Sequence, residues 1–320
     1  MANGNTAALA LALAICPGAI QAQSYPAKPL HLIVSFPAGA QSDSVARTVA
    51  QALSLTLGQP VIVENKPGAD GAIGAEAVIK SPPDGYTFLV GTNTAMLGVP
   101  TLRKNPPYDP LKSFAGVSLL GRFTLFLYTH PSVPATTFAE LVAYARANPG
   151  KLNYAAGTAT GTVSTAQIVR LAGIDLVQVP YKGDPPAILD LVAGRVQVLF
   201  SPSTAPLGHV KQGRLRVLAT LGQRRSALAP ESPTMAEVGM PSVSAVGWAG
   251  LFAPVQVPRE LLERLSVEVN GVLKRPDVRE QLDRLGFEGQ GSTPAELMAY
   301  LKEQLAVWRA IVRESGLAQD

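Results

Sequence analysis

Cysteine is almost missing from this chain, with Cys16 the only one among 320 residues. It falls within residues 1–22, a segment without a single charge and with an unbroken apolar run from Ala7 to Ile15. Such a run suits a secretory leader and is too short to span a bilayer. Ala22 is a small residue fit to precede cleavage, so residues 1–22 are expected to be a signal peptide and the mature chain to be exported. A lipidated Cys16 would require a small residue before it, and Ile15 is not small. Losing the leader removes the thiol, which excludes disulfides, thiolate catalysis and thiolate metal sites.

Other absences narrow the function further. Nothing after residue 22 is apolar for long enough to cross a membrane as a helix. The net charge is +4, yet the basic residues are scattered, with no run beyond Arg224-Arg225 and no interleaved aromatics, so no nucleic-acid partner is expected. Only three histidines occur. His31 lies in a strand pattern, His130 precedes Pro131, and His209 sits beside Gly208, so each reads as structural or solvated. No P-loop, H-E-x-x-H, nucleophile elbow or EF-hand loop is present. Gly68, Gly71 and Gly74 are spaced G-x-x-G-x-x-G, not as a dinucleotide fingerprint, and read as close helix–strand packing. We therefore expect no catalytic residue, no metal and no cofactor.

What is present is a well-packed α/β pattern. Hydrophobic residues make up 47% and charged ones 16%, which describes a globular chain and not a disordered one. Strand patterns at Leu30–Ser35, Val61–Glu64 and Thr87–Gly91 alternate with helical patterns at Ser44–Leu57 and Gly71–Lys80. Strands at Val117–Leu120 and Leu125–Thr129 follow a proline-rich break at Asn105–Pro110. A second alternating set comprises strands at Leu152–Ala155, Leu176–Pro180, Val196–Phe200 and Leu215–Thr220, with helices at Val163–Leu171 and Pro185–Val192. A strand at Trp248–Ala253 precedes a helical C-terminal part. Thr137 with Glu140, and Thr293 with Glu296, are capping-box signatures.

Two segments share one grammar. Leu30–Ser35 feeds Phe36-Pro37-Ala38-Gly39-Ala40-Gln41-Ser42-Asp43 and then a helix; Leu152–Ala156 feeds Gly157-Thr158-Ala159-Thr160-Gly161-Thr162 and then a helix. Each is a strand opening a helix through a small loop bearing glycine and hydroxyls. A helix start presents free N–H groups and the positive end of its dipole, so both loops can receive an anion. One per half of the chain suggests two lobes offering helix starts to one ligand.

By these residues the chain resembles the Bug-type periplasmic solute-binding receptors of the tripartite tricarboxylate transporter group. The resemblance rests on Tyr25 to Leu30, Phe36 to Gly39 with Ser42-Asp43, Glu64 to Ala75, Pro83 to Thr87, and Pro107 to Pro110. It continues through Gly157 to Thr162, Val179 to Gly183, Arg225-Ser226 and Pro233 to Gly239. It implies a two-lobed periplasmic-binding-protein fold, type II-like, each lobe a mostly parallel sheet flanked by helices. Domain I would comprise residues 24–122 and 246–320, domain II residues 123–245, with the ligand cleft between them and crossings near Gly121 and Gly247.

The resemblance also implies a function: a monomeric receptor that binds a small carboxylated solute and delivers it to membrane permease subunits. Carried over by position, the first loop supplies Phe36, Ala38, Gly39, Ser42 and Asp43, and the facing loop Gly157, Thr158, Gly161 and Thr162. Thr92 and Asn93 would line the cleft after their strand, and Tyr181 to Pro186, singled out as Tyr181, Lys182, Gly183 and Pro186, would line it from the second lobe. Ala38 and Ala40 depart from the family's usual proline and second glycine. The glycines also fit plain turns, and Ser42 or Asp43 also fits a helix cap. Trp248 fits interlobe packing better than a ligand platform. Two other readings stand beside the receptor: a secreted hydrolase or isomerase on the same fold, and a ligand sensor for a membrane signalling protein.

Overall fold

The computed structural model describes residues 25–317 apart from positions 203, 223, 244 and 245; the expected leader lies outside the described residues. In chain order the described elements are β1 (Leu30–Val34), α1 (Gln41–Leu57), β2 (Val61–Asn65), α2 (Ala72–Ile79), β3 (Thr87–Thr92), α3 (Val99–Leu102) and α4 (Pro110–Ser113). Next come β4 (Phe114–Phe123), β5 (Leu125–Thr129), α5 (Phe138–Ala147), β6 (Asn153–Ala156), α6 (Ala159–Ala172), β7 (Val177–Pro180) and α7 (Asp184–Val192). The rest are β8 (Val198–Ser201), α8 (Leu207–Lys211), β9 (Arg216–Leu221), β10 (Gly247–Pro254), α9 (Arg259–Lys274), α10 (Pro276–Arg284), β11 (Phe287–Gly289) and α11 (Pro294–Glu314).

The strands form two sheets, ordered β11-β4-β10-β3-β1-β2 and β7-β6-β8-β5-β9. This is the α/β two-sheet periplasmic-binding-protein arrangement. Each sheet is more mixed than the mostly parallel ones expected. Pairs β1–β2, β1–β3, β6–β7 and β6–β8 are parallel, while β10, β11, β5 and β9 pair antiparallel. The reason is the chain path: β4 and β5 are separated by Thr124 alone, and β10 returns from the second sheet to lie between β3 and β4. Neither passage has the helical crossover that parallel neighbours need.

Burial follows the sequence pattern. On α1 the residues Val45, Ala46, Val49, Ala50 and Leu53 recur at helical spacing and are buried, covering β1 and β2 and meeting α9. On α11, Leu297, Leu301, Leu305 and Trp308 do the same against the opposite face of the first sheet. Both capping boxes are present, Thr137 with Glu140 at α5 and Thr293 with Glu296 at α11. The glycine run packs as expected: a Cβ on Gly74 would lie 2.6 Å from Ser35 Oγ and 3.0 Å from Lys66 O. Among the described residues no helix is long and apolar enough to cross a membrane.

The parallel strands decide where a ligand can go. β1, β3 and β6 all end at one side of their sheets and feed Ser35-Phe36, Asn93-Thr94 and Gly157-Thr158 respectively. Ligand crevices in α/β sheets form beyond such carboxyl ends.

Candidate functional site: a cleft between two helix starts

Both helices begin earlier than the pattern suggested. α1 starts at Gln41 and α6 at Ala159, so Ser42, Asp43, Gly161 and Thr162 belong to first helical turns. Ala40, at the cap of α1, is extended (φ −66°, ψ 157°) and supplies no side-chain acceptor. The N–H groups of Gln41 and Ser42 consequently find no acceptor among the described residues. At α6, Thr158 is the cap, and its Oγ1 accepts from Gly161 N–H at 3.1 Å. Ala159 N–H donates across the cleft to Thr94 Oγ1 at 3.2 Å, and Thr162 N–H donates to Thr158 O. Thr160 N–H is left without an acceptor among the described residues.

Gln41, Ser42 and Thr160 line one chamber, together with Phe36, Thr92, Asn93 and Thr158. The remaining walls are Ala40, Thr94, Phe123, Asp184, Pro202, Gly247 and Trp248. The chamber holds about 460 Å³ of empty space, including its opening to solvent. Among the described residues no Lys, Arg or His lines it, and Asp184 is the one ionisable residue that does. A wider outer cavity of about 1100 Å³ shares Phe36 and Thr94 with it and adds Gly157, Tyr181, Lys182 and Gly183. Hydroxyls, amides and aromatic rings line the chamber, and the neighbouring cavity adds Asp70 and Lys182.

The sequence-selected residues distribute unevenly over this cleft. Phe36, Ser42, Thr92, Asn93 and Thr158 reach the inner chamber; Gly157, Thr162, Tyr181, Lys182 and Gly183 line its outer parts. Ala38 and Gly39 are exposed at the turn apex, and Pro186 is exposed on α7; none of the three lines these cavities. Gly161 faces β8, where a Cβ would lie 2.3 Å from Phe200 O.

Several side chains are committed to holding the walls. The Asp43 carboxylate accepts from Gly39 N–H at 3.0 Å, Asn65 Nδ2 at 2.8 Å and Arg47 Nε at 3.1 Å. Burial pushes that carboxyl up, but the bonds from Arg47, Gly39 and Asn65 outweigh it and hold it below the usual carboxylate range. Asn93 accepts from Trp248 N–H at 2.6 Å and donates to Val246 O at 2.8 Å, which pins the returning chain to the end of β3. The Thr162 hydroxyl donates to Thr158 O, and Tyr181 OH donates to the Asp190 carboxylate. The Trp248 ring packs against Phe252 and Tyr300.

Three polar atoms of the chamber residues stay buried and unpaired: Thr92 Oγ1, Asp184 Oδ1 and Trp248 Nε1. Buried polar atoms without partners are uncommon in folded proteins, and a bound solute or water would satisfy these. Gln41, Thr94 and Asp184 escaped the sequence selection. Thr160 and Asp184 do lie inside the segments Gly157–Thr162 and Tyr181–Pro186, and Thr94 directly follows a hydroxyl-bearing pair already chosen. For Gln41 no signal existed beyond its place between Ala40 and Ser42. The arrangement has donors and hydroxyls able to bind an anion. Among the described residues no cluster of His, Cys, Asp and Glu could hold a metal ion.

Comparison with known proteins identifies the family. Residues 45–317 match the family model described as the tripartite tricarboxylate transporter family receptor. The chain is 34% identical to the protein BugT of Bordetella pertussis over 300 residues, 93% of this chain and 92% of that protein. It is similar in structure to Rpa4515 of R. palustris, solved with adipate, with a TM-score of 0.88 and 31% identity over 92% of this chain and 100% of that one. The periplasmic binding protein BugD superposes with a TM-score of 0.86 and 30% identity, again over 92% of this chain and all of that one.

Proposed function

Because this chain belongs to the tripartite tricarboxylate transporter receptor family, a family of non-enzymatic solute-binding receptors, we propose that it captures a small carboxylated solute and hands it to membrane permease subunits. The observation that carries this reading is the meeting of two helix starts on one chamber. Gln41 and Ser42 of α1, and Thr160 of α6, offer N–H groups that the protein leaves unused. A carboxylate placed there gains their hydrogen bonds and the positive ends of two helix dipoles. No arginine clamp is needed, and among the described residues no arginine lines the chamber. The adipate bound in the similar Rpa4515 supports a carboxylate as the ligand class.

Closing the two sheets on the solute fits the same contacts. Thr94, from the first sheet's side, accepts from Ala159 N–H on the second, so the lobes meet through a hydrogen bond beside the chamber. The periplasm is the proposed place of action, from the uncharged apolar start of the sequence and the family. The test is a thermal-shift screen of the mature protein against dicarboxylates, amino acids and aromatic acids, followed by calorimetry. Binding of a carboxylate raises the melting temperature, because a ligand held by the native state stabilises it. A protein stabilised only by uncharged solutes contradicts the reading. Loss of uptake of that carboxylate on deleting the gene, in cells retaining the permease, tests the delivery step.

A further inference from the structure

Asp184 stands apart from every other group in the chamber. It is 7% exposed and opens α7 behind Gly183. Its Oδ2 accepts from Ser201 Oγ at 2.5 Å, while Oδ1 has no partner. Gly157 lies against Oδ1 so closely that a Cβ there would sit 2.5 Å away, so this glycine makes room for the carboxylate. One neutral hydroxyl does not compensate a buried charge, and among the described residues no Lys, Arg or His lines the chamber. The residues lining the chamber therefore carry opposite needs: unused N–H donors at the starts of α1 and α6, and a buried carboxylate with one unpaired oxygen at the start of α7.

Resting on the carboxylate reading above, we propose that the solute is an amino carboxylate whose ammonium group pairs with Asp184 while its carboxylate meets the helix-start amides. A hydroxyl in that place would supply a bond and leave the buried charge uncompensated. A second carboxylate would face Asp184 as a like charge. An ammonium group satisfies both the open oxygen and the charge.

The surroundings give the pairing a pH dependence. Burial pushes the Asp184 carboxyl up to about 6, against the opposing bond from Ser201. Facing it are Ser201 on β8, Gly157 after β6, and Tyr128 on β5, whose hydroxyl burial holds well above its usual value and hence neutral. On its own side Asp190 is occupied by Tyr181 and by Arg195 at 2.7 Å, and Lys182 is exposed. Protonation of Asp184 below about pH 6 removes the acceptor charge, so an ammonium-bearing solute binds less well in acid.

Calorimetry with matched triplets tests this: succinate, malate and aspartate; glutarate, 2-hydroxyglutarate and glutamate; phenylpropionate, phenyllactate and phenylalanine. Within each triplet one substituent changes from hydrogen to hydroxyl to ammonium. In the triplet that binds, the ammonium member should bind at least tenfold tighter than its hydrogen counterpart at pH 7.5. That advantage should shrink between pH 7.5 and pH 5, and disappear in Asp184→Asn, which keeps an oxygen for Ser201. A hydrogen or hydroxyl member binding as tightly, or an undiminished preference in Asp184→Asn, overturns the inference and leaves the carboxylate reading standing. The pH series on the unaltered protein decides the matter even if the variant folds poorly. Failure of every triplet to bind overturns both.

Discussion

The two helix-opening loops share a sequence grammar and differ in what their donors do. At α1 the cap is Ala40, which has nothing to offer, and two successive N–H groups, on Gln41 and Ser42, stay open. At α6 the cap Thr158 takes the Gly161 N–H, and Thr94 from across the cleft takes that of Ala159, leaving Thr160. The α1 loop is also braced from behind, where the Asp43 carboxylate grips Gly39, Asn65 and Arg47. In the proposed function the first loop serves as the braced anion seat and the second as its partner. A residue that looks like a gap in the pattern, an alanine where a capping side chain is usual, is what leaves the seat unoccupied by the protein itself.

If α1 is the main seat, Gln41→Pro should have the largest effect on affinity. Proline suits the first helical position, and the extended Ala40 before it is compatible with proline. The substitution removes one N–H from the seat and also the side-chain bond that Gln41 Nε2 donates to Leu285 O. Gln41→Ala removes only the latter and is the control. A hydrogen bond to a charged group is worth about 1.5–3 kcal/mol, so Gln41→Pro should weaken binding roughly ten- to 150-fold beyond the control, read by calorimetry.

Asp43→Asn comes next, and acts on the fold that holds the seat. An amide cannot accept from Gly39, Asn65 and Arg47 together, and its own NH₂ meets donors, so stability should fall by about 1–3 kcal/mol in denaturant unfolding. Because its partners lower the folded-state value, the Asp43 contribution is complete above the ordinary carboxylate range and is lost as pH falls through that lower value. The gap between wild type and variant should therefore narrow in acid.

Much of the scaffold behind these expectations is readable from sequence, and the donors are not. The capping boxes at Thr137 and Thr293 are local signals and stand where they were read. The helix starts shift because Gln41 to Asp43 and Ala159 to Thr162 carry small, hydroxyl or glycine residues that resemble loop. Thr94–Gly98 and α3 are not assigned from sequence; with Gly98 and Pro100 among so few residues they show no helical period, although the backbone there continues as a wide helical turn. Asp184 looks from sequence like an ordinary acidic first-turn residue before two prolines. Its importance comes from Ser201 and Gly157, brought to it only through the sheet β7-β6-β8.

Two smaller effects sharpen the contrast between the loops. Thr94→Val removes the acceptor for Ala159 N–H and with it one neutral bond between the lobes, about 0.5–1.5 kcal/mol. Affinity should fall roughly two- to tenfold, by the same titration. Lys182→Ala should matter least, below about twofold, because Lys182 is exposed at the outer cavity and an exposed charge is screened by water and salt.

The central claim is that backbone amides of both helices, and chiefly those of α1, hold the solute's carboxylate. Amide proton–nitrogen correlation spectra of the mature protein, recorded while titrating in a carboxylate that binds in the calorimetric screen, observe those groups directly. The account predicts large downfield shifts for the amide protons of Gln41 and Ser42, a clear shift for Thr160, and little change at Lys182. Unmoved amides at Gln41, Ser42 and Thr160, with the largest changes at Lys182, would contradict it.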